Sequence, residues 1–95
     1  MTEIILGIVK ARLNRLAVDT TIDVYLTQRI EAAKKEFERK GINLVEDDVD
    51  DQILLADYVV WRYQNRDMPG AMPEWLRLAV RERFISSKGR DTDDT

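Results

Sequence analysis

The residues of this chain that could do chemistry are mostly carboxylates, and five of them stand in one short stretch. These are Glu46, Asp47, Asp48, Asp50 and Asp51. Clustered carboxylates can bind hard cations such as Mg²⁺ or Ca²⁺, but this stretch lacks the glycine and the terminal glutamate that an EF-hand loop requires. Aspartates are also typical of a helix start, where one accepts hydrogen bonds from free backbone N–H groups and others complement the helix dipole. We favour the helix start and expect no metal site.

The composition excludes the commonest routes to catalysis. The 95 residues include no histidine and no cysteine. This removes the commonest general base and the commonest metal ligand at neutral pH, and it leaves no thiolate for a metal site. No nucleophile–base pair and no phosphate-binding glycine loop is recognisable in the sequence. We therefore expect a protein that acts by binding partners, not an enzyme, and we expect it to use no cofactor.

Apolar residues recur at three- and four-residue steps in four segments, as is typical of amphipathic helices. The segments cover roughly residues 3–16, 21–40, 47–66 and 73–85. We predict that the following side chains face the core: Ile5, Ile8, Val9, Leu13, Leu16, Ile22, Leu26, Ile30, Ala33, Phe37, Val49, Ile53, Ala56, Val60, Tyr63, Trp75, Leu76, Ala79, Val80 and Phe84. The third segment is apolar over most of its circumference, which predicts a central position.

The predicted fold is therefore all-α: a small bundle of four helices with a long central third helix and a flexible C-terminal tail. We assign residues 1–86 to the helical domain and the polar, charged residues 87–95 to the tail. Gly41 should end the second helix in a left-handed conformation, so that Ile42 contacts Phe37 in a Schellman motif. No apolar run is long enough to span a membrane.

Acidic and basic residues segregate along the sequence. Residues 46–57 carry six acids and no base, whereas residues 74–90 carry five bases and two acids. A small, highly charged domain can show such segregation by chance. It also fits a contact between copies in which the acidic surface of one subunit meets the basic surface of the next, and such a contact can close into a ring. The residues predicted for these surfaces are Asp47, Asp48, Asp51, Arg77, Arg81 and Arg83.

A second predicted docking edge combines aromatic residues, methionine and arginine, which are enriched at the centres of protein interfaces. Its residues are Trp61, Arg62, Arg66 and Met68. The basic fourth helix has an alternative interpretation, because Arg77, Arg81 and Arg83 could also serve a recognition helix in DNA. Against it stand the net charge of −3 and a preceding loop that is longer than the turn of a helix-turn-helix motif.

The order of several residues between positions 56 and 73 is similar to that in a known protein family. The stretch Ala56-Asp57-Tyr58 continues to Arg62-Tyr63 and Asn65-Arg66, and a Met72-Pro73 turn then leads into the last helix. Together with the helix lengths before it, this pattern resembles the small head–tail connector (adaptor) proteins of long-tailed bacteriophages. The resemblance covers roughly residues 3–86.

The resemblance implies a structural role with no catalytic residues. About a dozen copies would form a ring, as repeated contacts between identical subunits allow. The implied partners are the portal protein and a tail-side connector or stopper protein, and DNA would pass through the lumen without being read. The implied location is the head–tail junction of the virion, after synthesis in the cytoplasm of the bacterial host. A small helical DNA-binding regulator is the alternative function.

Overall fold

The computed structural model describes residues 1–14, 20–66 and 70–93, with side chains up to Ser87. Four α-helices follow one another in these residues, and no strand occurs among them. The helices are α1 (Thr2–Arg12), α2 (Asp23–Arg39), α3 (Val49–Gln64) and α4 (Glu74–Asp93). The predicted all-α bundle is therefore confirmed. No helix of the described part is long and apolar enough to cross a bilayer.

Helix α3 packs against each of the other three helices, and α1 also packs against α2. The predicted length of α3 is not confirmed, since its 16 residues are fewer than the 17 of α2 and the 20 of α4. The buried apolar residues are Ile5, Val9, Leu26, Ile30, Ala33, Phe37, Ile42, Leu54, Leu55, Ala56, Tyr58, Val59, Val60 and Leu76. Among its described side chains, helix α4 contributes the fully buried Leu76 and the partly buried Ala79 and Val80. Apolar burial therefore attaches α4 less firmly than the other helices.

Two helix ends form as the sequence predicts. Gly41 has φ +85°, and the Schellman bonds run from Ile42 N to Phe37 O (2.9 Å) and from Gly41 N to Glu38 O (3.0 Å). Asp48 caps α3, because its side chain accepts hydrogen bonds from the backbone N–H groups of Asp50 and Asp51. These caps fix the connection between α2 and α3 and the direction in which α3 begins.

Four apolar side chains that were predicted to face the core are exposed, so those predictions were wrong. Their exposed fractions are 62% for Val49, 46% for Ile53, 56% for Trp75 and 38% for Phe84. Leu16, which was also predicted to face the core, lies outside the described residues. Helix α4 turns Leu76 and Ser87 inward instead, and Trp75 follows a different direction because neighbouring residues of a helix are about 100° apart. On α3, none of the described helices covers Val49 and Ile53.

Helix α4 is longer than the sequence predicted. Its backbone stays helical to Asp93, although residues 87–95 were assigned to a flexible tail. Ser87 is buried, and its hydroxyl oxygen accepts hydrogen bonds from Asn43 N (3.1 Å) and Arg83 Nη1 (2.7 Å). Residues 94 and 95 lie outside the described part.

A buried ion pair joins α4 to α3. The guanidinium of Arg83 donates hydrogen bonds to both carboxylate oxygens of Asp51, at 2.6 and 2.9 Å, and to Asn43 O at 2.6 Å. The same carboxylate accepts a bond from Val45 N at 2.8 Å. The hydrogen bond with Asp51 raises the pKa of Arg83 above its ordinary value. Two residues that the sequence assigned to opposite outer surfaces thus pair with each other inside one chain.

Replacement of Asp51 by asparagine should lower the free energy of unfolding by about 3–5 kcal/mol, because the Arg83 charge would stay buried without its partner. Urea denaturation followed by circular dichroism measures this change. Asp47→Asn is the matched control, since Asp47 is an exposed acid of the same stretch and its loss should cost less than about 0.5 kcal/mol. Equal effects of the two replacements would contradict the structural role of the pair.

Candidate docking site

A cleft between α2 and the end of α3 brings three arginines together. Its volume is about 250 Å³, and we call it the arginine cleft. Its lining residues are Arg29, Trp61, Arg62, Asn65, Arg66 and Gly70. Arg29 comes from the middle of α2, while the others belong to the last turn of α3 and the chain after it. Residues far apart in sequence therefore form one positively charged concave surface.

The end of α3 fixes the shape of this cleft. The Asn65 amide donates a hydrogen bond to Trp61 O at 2.8 Å. The Arg66 side chain donates one to Tyr63 O at 2.6 Å, and its guanidinium lies 4.1 Å from the centre of the Tyr63 ring. A Cβ atom on residue 70 would lie only 2.9 Å from Asn65 Oδ1, so glycine permits the close approach of the chain here. The cleft wall is thus held by backbone contacts and by stacking.

The arginine cleft is positively charged. None of its described lining residues is a carboxylate. Among the described residues, no acid lies within ion-pair distance of Arg29, Arg62 or Arg66. A guanidinium offers a planar fork of donors that matches carboxylate and phosphate oxygens, and the indole of Trp61 adds an apolar surface. The arrangement suits the binding of an anionic group.

Beneath the arginine cleft, a buried tyrosine supports Trp61. The Tyr58 ring lies 5.8 Å from the Trp61 ring and 5.0 Å from that of Phe37, and its hydroxyl donates a hydrogen bond to Glu36 Oε1 at 2.7 Å. Burial, together with this bond, raises the pKa of Tyr58 to about 12. Burial alone would raise the pKa of Glu36, but the Tyr58 bond and the Lys40 charge outweigh it and lower that pKa.

The structure brings together only some of the residues that the sequence singled out for docking. Trp61, Arg62 and Arg66 line one cleft, and Met68 lies outside the described residues. On the two charged surfaces, Asp47, Arg77 and Arg81 are exposed, Asp48 caps α3, and Asp51 pairs with Arg83.

The sequence analysis missed Arg29 and the Glu36–Tyr58 bond. Arg29 lies beside the inward-facing Ile30 of α2, and no spacing in the sequence shows that α3 ends opposite it. The Glu36–Tyr58 pair is separated by 22 positions along the chain. Glu36 also pairs with Lys40 at 3.4 Å on the same helix. Both omissions therefore concern contacts that depend on how α2 and α3 pack.

Within the described parts of the chain, no group of three or more acidic side chains is arranged to hold a metal ion. No protein-family model matches the chain, and neither a curated protein nor a solved structure shows significant similarity to it.

The raised pKa of Tyr58 predicts a stability change at high pH. An unfolded tyrosine ionises near pH 10, whereas Tyr58 in the folded protein ionises at about 12. The unfolded state therefore loses the proton first, and the contribution of Tyr58 to the free energy of unfolding is full below pH 10 and lost towards pH 12. Tyr58→Phe should show a shallower decline in this window. Urea titrations at several pH values measure it, and a decline parallel to the wild type would contradict the assignment.

Proposed function

We propose that this chain is a structural assembly subunit, a head–tail connector of a tailed phage, which acts by binding copies of itself and neighbouring components and not by catalysis. The observation that carries the proposal is a set of large apolar side chains left in water on α4. Trp75, Leu78 and Ile85 are each more than two-fifths exposed. Small domains leave single apolar residues exposed, but a group on one element is typical of an interaction surface.

These three side chains lie on one side of α4. Their spacing of three and seven residues places them within about 80° of one another around the helix. Leu76 and Ser87, which face the rest of the domain, point in another direction. Arg77 and Arg81 are exposed next to this apolar group. A helix with one face on its own domain and an apolar, basic face outward is suited to contact a second protein.

The finer part of the proposal rests on the resemblance of residues 3–86 to phage connectors. In that role, copies of the chain form a ring beneath the portal protein and receive a tail-side connector or stopper. The ring belongs to the virion, and its lumen lets DNA pass. The net charge of −3 is compatible with such a lumen, because a strongly basic channel would retain DNA.

A DNA-binding regulator is the second candidate, and one observation favours it. Arg77 and Arg81 are exposed one turn apart on α4, where they could reach phosphates. The third arginine of that set, Arg83, is held by Asp51. Gel-shift titration at several salt concentrations separates the two functions. Under the connector proposal we expect no sequence preference, whereas tight binding with a steep salt dependence would favour the regulator.

The connector proposal predicts that the protein is present in purified phage particles and that its outer α4 face is needed there. Trp75→Ser combined with Ile85→Ser should keep the free energy of unfolding within about 1 kcal/mol of the wild type, since both side chains are already exposed. The same double variant should be lost from particles, as measured by mass spectrometry. Leu76→Ala is the contrasting control, because its buried side chain should cost about 2–5 kcal/mol. Absence of the wild-type protein from mature particles would rule the proposal out.

A further inference from the structure

We propose that the arginine cleft binds the aspartate-rich segment 91–94 of a second copy of this chain. The inference deepens the assembly role proposed above and rests on it, because it names the segment and the site through which two copies join. Neither the cleft nor the segment takes part in the apolar α4 surface described for that role.

Charge and donor geometry select the occupant. Three arginines line the cleft, and none of its described lining residues is a carboxylate. The segment offers Asp91, Asp93 and Asp94, three carboxylates within four residues. Arginine binds carboxylates through paired hydrogen bonds of fixed geometry. A volume of about 250 Å³ is smaller than the pockets that hold drug-sized ligands, and it suits a few side chains of a peptide segment.

The other acidic stretch of the chain is less suited to this cleft. Asp48 is engaged as the cap of α3, and Asp51 is engaged with Arg83. The cap and the ion pair also hold that stretch in the start of a helix. Segment 91–94 instead follows Ser87, whose hydroxyl oxygen accepts hydrogen bonds from Asn43 N and Arg83 Nη1.

The geometry of α4 directs the segment to another copy. Gly70 lines the cleft only four residues before α4 begins at Glu74. The 20 residues of α4 span about 30 Å at 1.5 Å per residue, and residues 70–74 can cover at most about 14 Å of that length. At least about 15 Å remains between Gly70 and the end of α4, and at least about 11 Å between Gly70 and Asp91. This separation favours the cleft of another copy while α4 is helical.

A contact between the cleft of one copy and the segment of the next is heterologous. Each copy that gives its segment to one neighbour still offers its own cleft to another neighbour. Such a contact repeats, and it closes into a ring when the rotation between neighbours allows. The same geometry that favours binding to another copy therefore produces the head-to-tail order that a ring requires.

A fluorescein-labelled peptide of residues 88–95 tests the proposal by fluorescence anisotropy. The receptor is the full-length chain carrying Asp91→Asn, Asp93→Asn and Asp94→Asn, so that its own segments do not compete. We expect saturable binding, and at least about tenfold weaker binding of a peptide with the same three asparagines.

Arg29→Gln and Arg66→Gln in the receptor should each weaken binding by a similar factor. Arg39→Gln, an exposed arginine outside the cleft, should leave it unchanged. Circular dichroism verifies that each variant is folded.

Two further arms sharpen the test. Raising NaCl from about 50 to about 300 mM should weaken the binding several-fold, because exposed charges are screened. Inorganic phosphate should displace the peptide only at a large excess, and displacement at equal concentration would overturn the proposal in favour of a phosphate site. Equal binding of both peptides, no binding, or no effect of replacing the cleft arginines would also overturn it.

The connector function is tested separately by the presence of the protein in particles. A negative peptide result together with a positive particle result therefore rejects only this contact.

Discussion

The buried ion pair between Asp51 and Arg83 is the interaction on which the position of α4 depends. Helix α4 gives the apolar core a single fully buried side chain, Leu76, so dispersion and the hydrophobic effect alone hold it weakly. The polar contacts of Asp51 and Arg83 provide the additional attachment of α4 to the domain. Every hydrogen-bonding group of the pair is matched, with Asn43, Val45 and Ser87 as the surrounding partners, and buried charges are tolerated when they are satisfied in this way.

This attachment explains why so much apolar surface of α4 is left in water. A helix that docks through a carboxylate–guanidinium pair presents a partly polar face to its own domain, and its aromatic and aliphatic residues then lie elsewhere. Trp75 and Ile85 are the clearest cases. A chain of 95 residues also buries a smaller fraction of its surface than a larger domain does. The polar inward face of α4 and its apolar outward face thus have the same cause. The outward face is the one that supports an assembly role.

Local signals were sufficient to predict a large part of the fold. The position of Gly41 and the cap at Asp48 depend on backbone sterics and on hydrogen bonds within a few residues, and both are visible in the sequence. The regular spacing of Leu26, Ile30 and Phe37 likewise identified the buried face of α2. Each of these features requires no knowledge of which helix lies opposite.

The predictions that failed depended on which helix packs against which. Val49 and Ile53 continue the apolar spacing of α3, yet no described helix covers them. Trp75 belongs to the apolar spacing of α4, and it is exposed as well. The arginine cleft was found only in part, because Arg29 joins it across the packing of α2 on α3. The pairing of Asp51 with Arg83 spans 32 positions, and composition alone made these two residues look like members of separate charged surfaces.

The small apolar contribution of α4 has a consequence for motion. Proteins open in cooperative units whose free energies differ, and units with little buried apolar surface open first. Separation of α4 from α3 would expose Leu76, Ala79, Val80, Ser87 and one ion pair, whereas α1, α2 and α3 would keep their shared core. Amide hydrogen exchange should therefore be faster along α4 than along α2 or α3. A subunit whose α4 separates in this way could change its angle to a neighbour while α1, α2 and α3 remain rigid.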